Sequence, residues 1–465
     1  MCGVLGILGR YRLDASKELL LLLAHRGQDA SGLLWATESA FQESKTMGSP
    51  SGLSVQREWS ECILGSTRYP TSGRRVSSED ELCDFVGPFQ SGAVAVTHNG
   101  NITNLSSMTE KDYQCDTKFI CDRLQHHLAE SDDHLPTAFV RLTSEVDGAY
   151  SIVGIHDGSL FAFRDSRGFK PLVFGRSAEH TIVASESTVL DMAHVKLERD
   201  VYPGELIVFG PNQAMQCYSI SQQDGHKHCF FEYVYFANPA ARIENQLVYD
   251  VRFRLGRALA NRFTRLQLEE PDYVIPVPDT SRPAAQALAE ELGVPMREVI
   301  LKNRYLGRTF IVQSPEARNA MAHYKYIYLD DKIRGKNLLV VDDSIVRGTT
   351  AKMIVKDLKK RGAAKVYFAV TCPPQSHPCY YGIDISTSSE LIASQAGLEQ
   401  IRDFIGADAL IYQDMDGLVN ATGIRDICLA CLDGNYPTEH AKKIQAAIQL
   451  RDKKQGIRDY EREIR

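Results

Sequence analysis

One stretch constrains this chain more than any other: Leu339-Val340-Val341-Asp342-Asp343-Ser344-Ile345-Val346-Arg347-Gly348-Thr349-Thr350. An apolar strand ends in two carboxylates, a loop with Gly348 and three hydroxyl residues follows, and a helix starts at Thr350. Loop N–H groups and the positive end of that helix make an anion site, and the hydroxyls add donors for phosphate oxygens. Like charges repel, so the aspartates do not serve the phosphate itself. They suit ribose hydroxyls, or a Mg²⁺ bridging to a pyrophosphate. A Walker A loop is excluded because no Gly-Lys-Ser/Thr is present, and no GxGxxG stands at this strand–helix junction.

The segments around this motif alternate. A helix is predicted over 247–265, a strand over 273–277, a helix over 283–292, and strands over 299–302 and 337–341. A helix over 350–361 and a strand over 366–371 follow. Such alternation implies a parallel α/β sheet. The first 220 residues read differently, with short β-type runs at 4–8, 93–97, 149–155, 160–163, 181–184 and 205–209. Helices are predicted at 15–25 and 117–129. Runs of strands with a few helices suggest an α+β domain of stacked sheets. The boundary is placed between 225 and 240, giving units 2–230 and 231–438. A charged, solvated helical tail is expected over 439–465.

Composition narrows the function classes. The chain has 465 residues and a formal net charge of −6, which offers no footprint for nucleic acid or an anionic membrane. No apolar run approaches the roughly 20 residues of a membrane span. No basic stretch followed by an apolar core marks a secretory signal, so a cytoplasmic protein is expected. Eleven cysteines are present, and in that compartment disulfides are an unlikely use for them. Catalysis, metal ligation and burial remain.

The first of them is Cys2. Once Met1 is removed, this residue carries a thiol and an α-amino group whose pKa is about 8. The amine can accept the thiol proton, an activated nucleophile that needs no histidine. Cys2-Gly3-Val4 leads into a strand. Three glycine-bearing loops follow: His25-Arg26-Gly27-Gln28-Asp29-Ala30-Ser31-Gly32, Ser66-Thr67-Arg68-Tyr69-Pro70-Thr71-Ser72-Gly73 and His98-Asn99-Gly100-Asn101. Together these blocks resemble the N-terminal-nucleophile glutaminase family, with its four-layer αββα fold. The resemblance implies Cys2 as the nucleophile attacking the glutamine carboxamide, and Asn99 with the Gly100 N–H as the oxyanion hole. It implies Arg68 on the substrate α-carboxylate, Asp116 on its α-amino group, and Arg26 in the glutamine site. The family often has an acid two residues after that aspartate, where this chain has Lys118.

The motif at 339–350 resembles the phosphoribosylpyrophosphate signature of type I phosphoribosyltransferases. The resemblance implies that Asp342, Asp343, Ser344, Arg347, Gly348, Thr349 and Thr350 bind the phosphoribosyl group. It implies Mg²⁺ near Ser281, Asp342 and Asp343. Pro276-Val277-Pro278-Asp279-Thr280-Ser281 matches the family's pyrophosphate loop. Lys302, Arg304 and Lys325 match cations of a segment that closes over the substrate, although residues 324–329 depart from the usual sequence.

A glutaminase followed by a phosphoribosyltransferase resembles the amidophosphoribosyltransferase family of purine synthesis. That family's junction is matched by Phe231-Glu232-Tyr233-Val234-Tyr235-Phe236-Ala237. Its next residues, Arg-Pro-Asp-Ser, are replaced here by Asn238-Pro239-Ala240-Ala241. The resemblance implies glutamine and phosphoribosylpyrophosphate as substrates, purine nucleotides as feedback ligands and a homotetramer. Cys428-Leu429-Ala430-Cys431 alone is open between redox, metal and structural roles. With Cys229 and Cys379 it matches the ligands of the iron–sulfur branch. Four thiolates suit a [4Fe–4S] cluster or zinc, and the resemblance favours [4Fe–4S]. The alternatives are a sugar-phosphate aminating enzyme, asparagine synthetase, or a catalytically silent regulatory homologue. The first two have no need of the 342–350 loop.

Overall fold

A computed structural model describes residues 2–38, 40–69, 78–111, 113–212, 214–221, 225–303, 325–385 and 387–449. In the first half, two antiparallel sheets of seven and six strands lie face to face. Gly3–Arg12 is the central strand of the seven. Its side chains alternate with period two. Val4 and Leu8 enter the core between the sheets, against Ala95, Val153 and Leu160 of the second sheet. Leu5 and Ile7 face the other way and pack with Leu19, Leu20 and Leu190 of an outer helical layer. On the far side, helices Asp116–Ala129 and Leu135–Glu145 cover the six-stranded sheet through Phe119, Leu124, Phe139 and Leu142. The result is the expected four-layer αββα sandwich. Each fully buried aliphatic side chain in it contributes about 1.5–3 kcal/mol.

The second half holds a four-stranded parallel sheet in chain order: Tyr273–Pro276, Asn337–Asp342, Lys365–Val370 and Ala409–Tyr412. Helices Val248–Arg265 and Arg282–Leu292 pack on one face through Leu259, Phe263 and Leu288. Ile354, Leu358, Ile401 and Ile405 cover the other. Both faces are therefore buried, as a parallel sheet requires.

Three expectations change. The segment at 299–302 is not a strand of this sheet. Ile300–Lys302 pairs antiparallel with Tyr326–Tyr328 in a separate ribbon. Only Ile300 of the three is buried, too little for a strand covered on both faces. The fourth parallel strand is Ala409–Tyr412, which sequence reading passed over. The tail is not simply solvated either. Its described part is the helix Glu439–Gln449, with Ala441 and Ile444 buried in the main core and the His440 N–H donating to Asp147 of the first domain at 3.2 Å. The division into units near residue 230 remains our own. The first domain's last strand is Met215–Ser219, and a single π-helical turn, Glu232–Phe236, precedes the second domain.

Candidate active sites

The strand Val94–Ile102 carries Asn99 and Gly100 to a point beside the start of Gly3–Arg12. There the Cys2 N–H donates to Asn99 Oδ1 at 3.1 Å, and Cys2 Sγ lies 3.9 Å from the Tyr69 carbonyl oxygen. The Asn99 side chain is completely buried, and its Nδ2 has no partner among the described residues. A buried amide without an acceptor costs about 1–3 kcal/mol, so this group is held ready for an oxygen that arrives later. Gly100 has φ +154°, and a Cβ there would fall 1.8 Å from the Ala149 carbonyl oxygen. No other residue fits.

Arg68 and Asp116 line the same small pocket with Cys2, Ser66, Tyr69, Phe85, His98, Gly100, Cys115 and Thr117. The open space among them is about 20 Å³, room for about one water. Arg68 is buried, its guanidinium lies over the Phe85 ring, and its Nη1 has no hydrogen-bond partner among the described residues. A buried guanidinium with such a donor suits a carboxylate. Asp116 Oδ2 accepts from the Ile102 N–H at 3.2 Å and lies 3.6 Å from His98 Nε2. His98 Nδ1 meets Thr117 Oγ1 at 2.7 Å, and burial lowers the pKa of the ring despite Asp116. The imidazole is therefore neutral at physiological pH. Lys118 turns away to Asp84 at 2.7 Å.

Arg26 corrects the sequence reading. It is fully buried, and its guanidinium is taken up by Glu232 at 2.8 and 3.0 Å, Glu186 at 2.7 Å and the Cys2 carbonyl oxygen at 3.3 Å. It is not part of the pocket wall, and four of its five N–H groups are taken by these contacts. Its place is behind the nucleophile, tied to the domain junction.

The second cavity, about 500 Å³, opens at the C-terminal end of the parallel sheet. Asp342, Asp343, Ser344, Arg347, Gly348, Thr349, Thr350, Lys302 and Lys325 all line it, as expected. Gly348, at φ +74°, caps the helix Thr349–Lys360, whose N-terminus faces the cavity. Burial first, and the two carboxylates' mutual repulsion next, push the pKa of Asp342 well up, and burial pushes that of Asp343 up to about 6. Burial also lowers the pKa of Lys325, against the pull of Asp342. A buried and a half-buried carboxylate, both of raised pKa, favour a cation between them and a ligand. Ser281 is buried beside Asp342 and outside the cavity wall, where Thr280 stands instead. Lys302 bonds Asp279 at 2.8 Å, and Arg347 bonds Glu390 at 3.0 Å. Arg304 lies outside the described residues.

Tyr69 belongs to the walls of both cavities, and its hydroxyl donates to Asp384 of the second domain at 3.2 Å. Phe231, Tyr235 and Phe236 of the junction also line the second cavity. Nothing local in the chain signals these contacts, because they arise from residues hundreds of positions apart.

Cys229, Cys379, Cys428 and Cys431 are brought together where the junction, second domain and tail meet. Cys229 and Cys428 form an isolated parallel bridge, and the Cys428 N–H donates to the His228 carbonyl at 2.8 Å. The Tyr381 N–H donates to Cys379 Sγ at 3.4 Å. All four are buried, and Cys431 lies in the field of the other three thiols. They are not among the ligand groups whose atoms all fall within 4.8 Å of one another. A single tetrahedral zinc, with Zn–S of about 2.3 Å, would draw its sulfurs to about 3.8 Å. Nearby, His226, His228 and Glu244 also converge, but the Arg164 guanidinium occupies that position, 2.7 Å from Glu244.

Comparison with known proteins agrees with both domains. A glutamine amidotransferase domain family matches residues 82–192, and a phosphoribosyl transferase domain family matches residues 250–391. Fold and sites thus define a glutamine amidotransferase joined to a phosphoribosyltransferase. The amidophosphoribosyltransferase of Pyrococcus horikoshii is 38% identical over 93% of this chain and 96% of its own length. That of Methanocaldococcus jannaschii is 34% identical over 94% and 98%. The solved glutamine phosphoribosylpyrophosphate amidotransferase from B. subtilis, complexed with ADP and GMP, superposes with a TM-score of 0.83 at 32% identity, covering 94% of this chain and 98% of that one. The chain belongs to the amidophosphoribosyltransferase family.

Proposed function

We propose that the protein hydrolyses glutamine at Cys2 and passes the ammonia to C1 of phosphoribosylpyrophosphate. The products are 5-phosphoribosylamine, glutamate and pyrophosphate, in the first committed step of de novo purine synthesis. The observation that carries this reading is the shared wall at Tyr69, which sets the glutaminase pocket against the phosphate-binding cavity.

With Met1 removed, the Cys2 amine takes the thiol proton and the thiolate attacks the carboxamide carbon. Asn99 Nδ2 and the Gly100 N–H receive the developing oxyanion. Arg68 holds the substrate carboxylate and Asp116 its ammonium. Collapse releases ammonia and leaves a thioester on Cys2, which water cleaves to glutamate. In the second cavity the loop N–H groups and hydroxyls of 344–350 hold the 5-phosphate, and ammonia replaces pyrophosphate at C1. Mg²⁺, if bound by Asp342 and Asp343, would neutralise charge on the departing pyrophosphate. Lys302 and Lys325 would add to that neutralisation.

The four buried cysteines fit a [4Fe–4S] cluster with a structural role, tying junction, second domain and tail together. The aromatic side chains of Tyr380, Tyr381 and Tyr436 around them shield such a group from water. Purine nucleotides are the proposed feedback ligands, supported by the ADP and GMP in the B. subtilis relative. A cytosolic homotetramer is the proposed form. No helix among the described residues is long and apolar enough to cross a membrane.

The test uses a Cys2→Ala variant. It should release no pyrophosphate from glutamine and full pyrophosphate from ammonium salts. Glutamine-dependent release by that variant would refute the assignment.

A further inference from the structure

Arg252 belongs to the helix Val248–Arg265 of the second domain and is buried. Its Nε donates to the Tyr233 carbonyl at 2.8 Å, and its Nη2 donates to the carbonyls of Tyr235 at 3.0 Å and Ala237 at 2.8 Å. These carbonyls lie in and just after the single π-helical turn Glu232–Phe236. Fixing three acceptors at once needs the rigid fork of a guanidinium, which a lysine lacks. The anions in its field are Asp343 of the phosphate-binding loop and Glu186 of the glutaminase domain, one from each side.

The same turn presents Glu232 to the glutaminase domain. Glu232 grips Arg26 through both carboxylate oxygens, and Arg26 donates to the Cys2 carbonyl at 3.3 Å. Glu186 closes the network. It accepts from His25 at 2.8 Å, from Arg26 at 2.7 Å and from the Asn238 backbone N–H at 3.2 Å. Arg26, Glu186 and Glu232 are all fully buried. In the altered stretch 238–241, a backbone N–H thus joins the junction to this network. A misplaced charge in such a site is costly, so its members move together or not at all.

We infer that Arg252 is a positioning residue for glutamine hydrolysis. It clamps the junction turn, the turn places Glu232, and Glu232 holds Arg26 against the backbone of the nucleophile. Charge arriving at Asp343 changes the field at Arg252, and from Arg252 the turn, Glu232 and Arg26 lead to Cys2. This rests on the two-site reading above.

The experiment compares glutamine-dependent and ammonia-dependent pyrophosphate release in the full-length enzyme, with glutamine KM and kcat measured with and without phosphoribosylpyrophosphate. The variants are Arg252→Gln, the near-isosteric Glu232→Gln, and the double variant. The ratio of glutamine- to ammonia-dependent rate should fall at least tenfold in each single variant. Glutamine KM should no longer respond to phosphoribosylpyrophosphate. The double variant should be no worse than the worse single, since both break one chain of contacts. A ratio within twofold of the parent in Glu232→Gln, or fully additive losses in the double variant, overturns the inference. If the parent enzyme releases no pyrophosphate from either nitrogen source, it is the two-site reading itself that fails.

Discussion

Asn99 accepts the Cys2 N–H on its Oδ1 at 3.1 Å and leaves its own Nδ2 buried with no partner among the described residues. One side chain therefore both holds the backbone of the proposed nucleophile and keeps a donor for the proposed oxyanion. Asn99→Ala should lower the glutaminase kcat by about 10²–10³, the usual loss for one such donor. Ammonia-dependent pyrophosphate release should stay within threefold of the parent. A glutaminase rate unchanged by the substitution would remove Asn99 from the oxyanion hole.

Arg68 should act on binding. Its Nη1 is buried beside Phe85 without an acceptor among the described residues, and a hydrogen bond to a charged group is worth about 1.5–3 kcal/mol. Arg68→Gln should raise the glutamine KM roughly 10- to 100-fold, with a smaller effect on kcat. Steady-state kinetics over a wide glutamine range would check this. A loss confined to kcat would argue that the carboxylate lies elsewhere.

The pH dependence of ligand stabilisation follows from Asp342 and Asp343. Burial raises the pKa of both, that of Asp343 to about 6. A carboxyl whose pKa rises on folding costs stability above its unfolded value near 3.9, and the cost is complete only above its folded value. A cation offsets that cost only where the carboxylates are ionised. The Tm gain from Mg²⁺ with phosphoribosylpyrophosphate should be larger at pH 7.5 than at pH 5, and Asp343→Asn should reduce it. An equal gain at both values would contradict the pairing.

Much of this was legible in the sequence, for identifiable reasons. The strand ends at Asp342 and Asn99 are local: an apolar run followed by a polar, glycine-bearing loop fixes their placement. Gly100 and Gly348 were readable for the same reason. The strand Phe41–Met47 was missed because five of its seven residues are polar and it lies at a sheet edge. Trp59–Arg68 was missed because Ser, Glu and Gly interrupt its apolar positions. Arg26 misled, since its neighbours are those of a ligand-binding loop while its partners, Glu186 and Glu232, are set only by tertiary packing. Tyr69 and Arg252 carried no local signal at all.

The cysteines give a prediction that needs no turnover assay. Protein prepared without oxygen should be brown and hold about four irons per chain, as a [4Fe–4S] cluster requires. Cys428→Ser should lose colour, iron and several degrees of Tm together. Zinc in place of iron, or a colourless parent protein, would set the cluster aside and leave the buried thiols as packing.

The central claim is that ammonia made at Cys2 is used in the adjoining cavity behind Tyr69. The most direct measurement is the ratio of glutamate formed to pyrophosphate released, with both substrates saturating and ammonia in the medium kept at trace level. The account predicts a ratio near one, unchanged when an enzyme that consumes free ammonia is added. A ratio well above one, or loss of pyrophosphate release on adding that scavenger, would show ammonia escaping to solvent and contradict the coupling of the two sites.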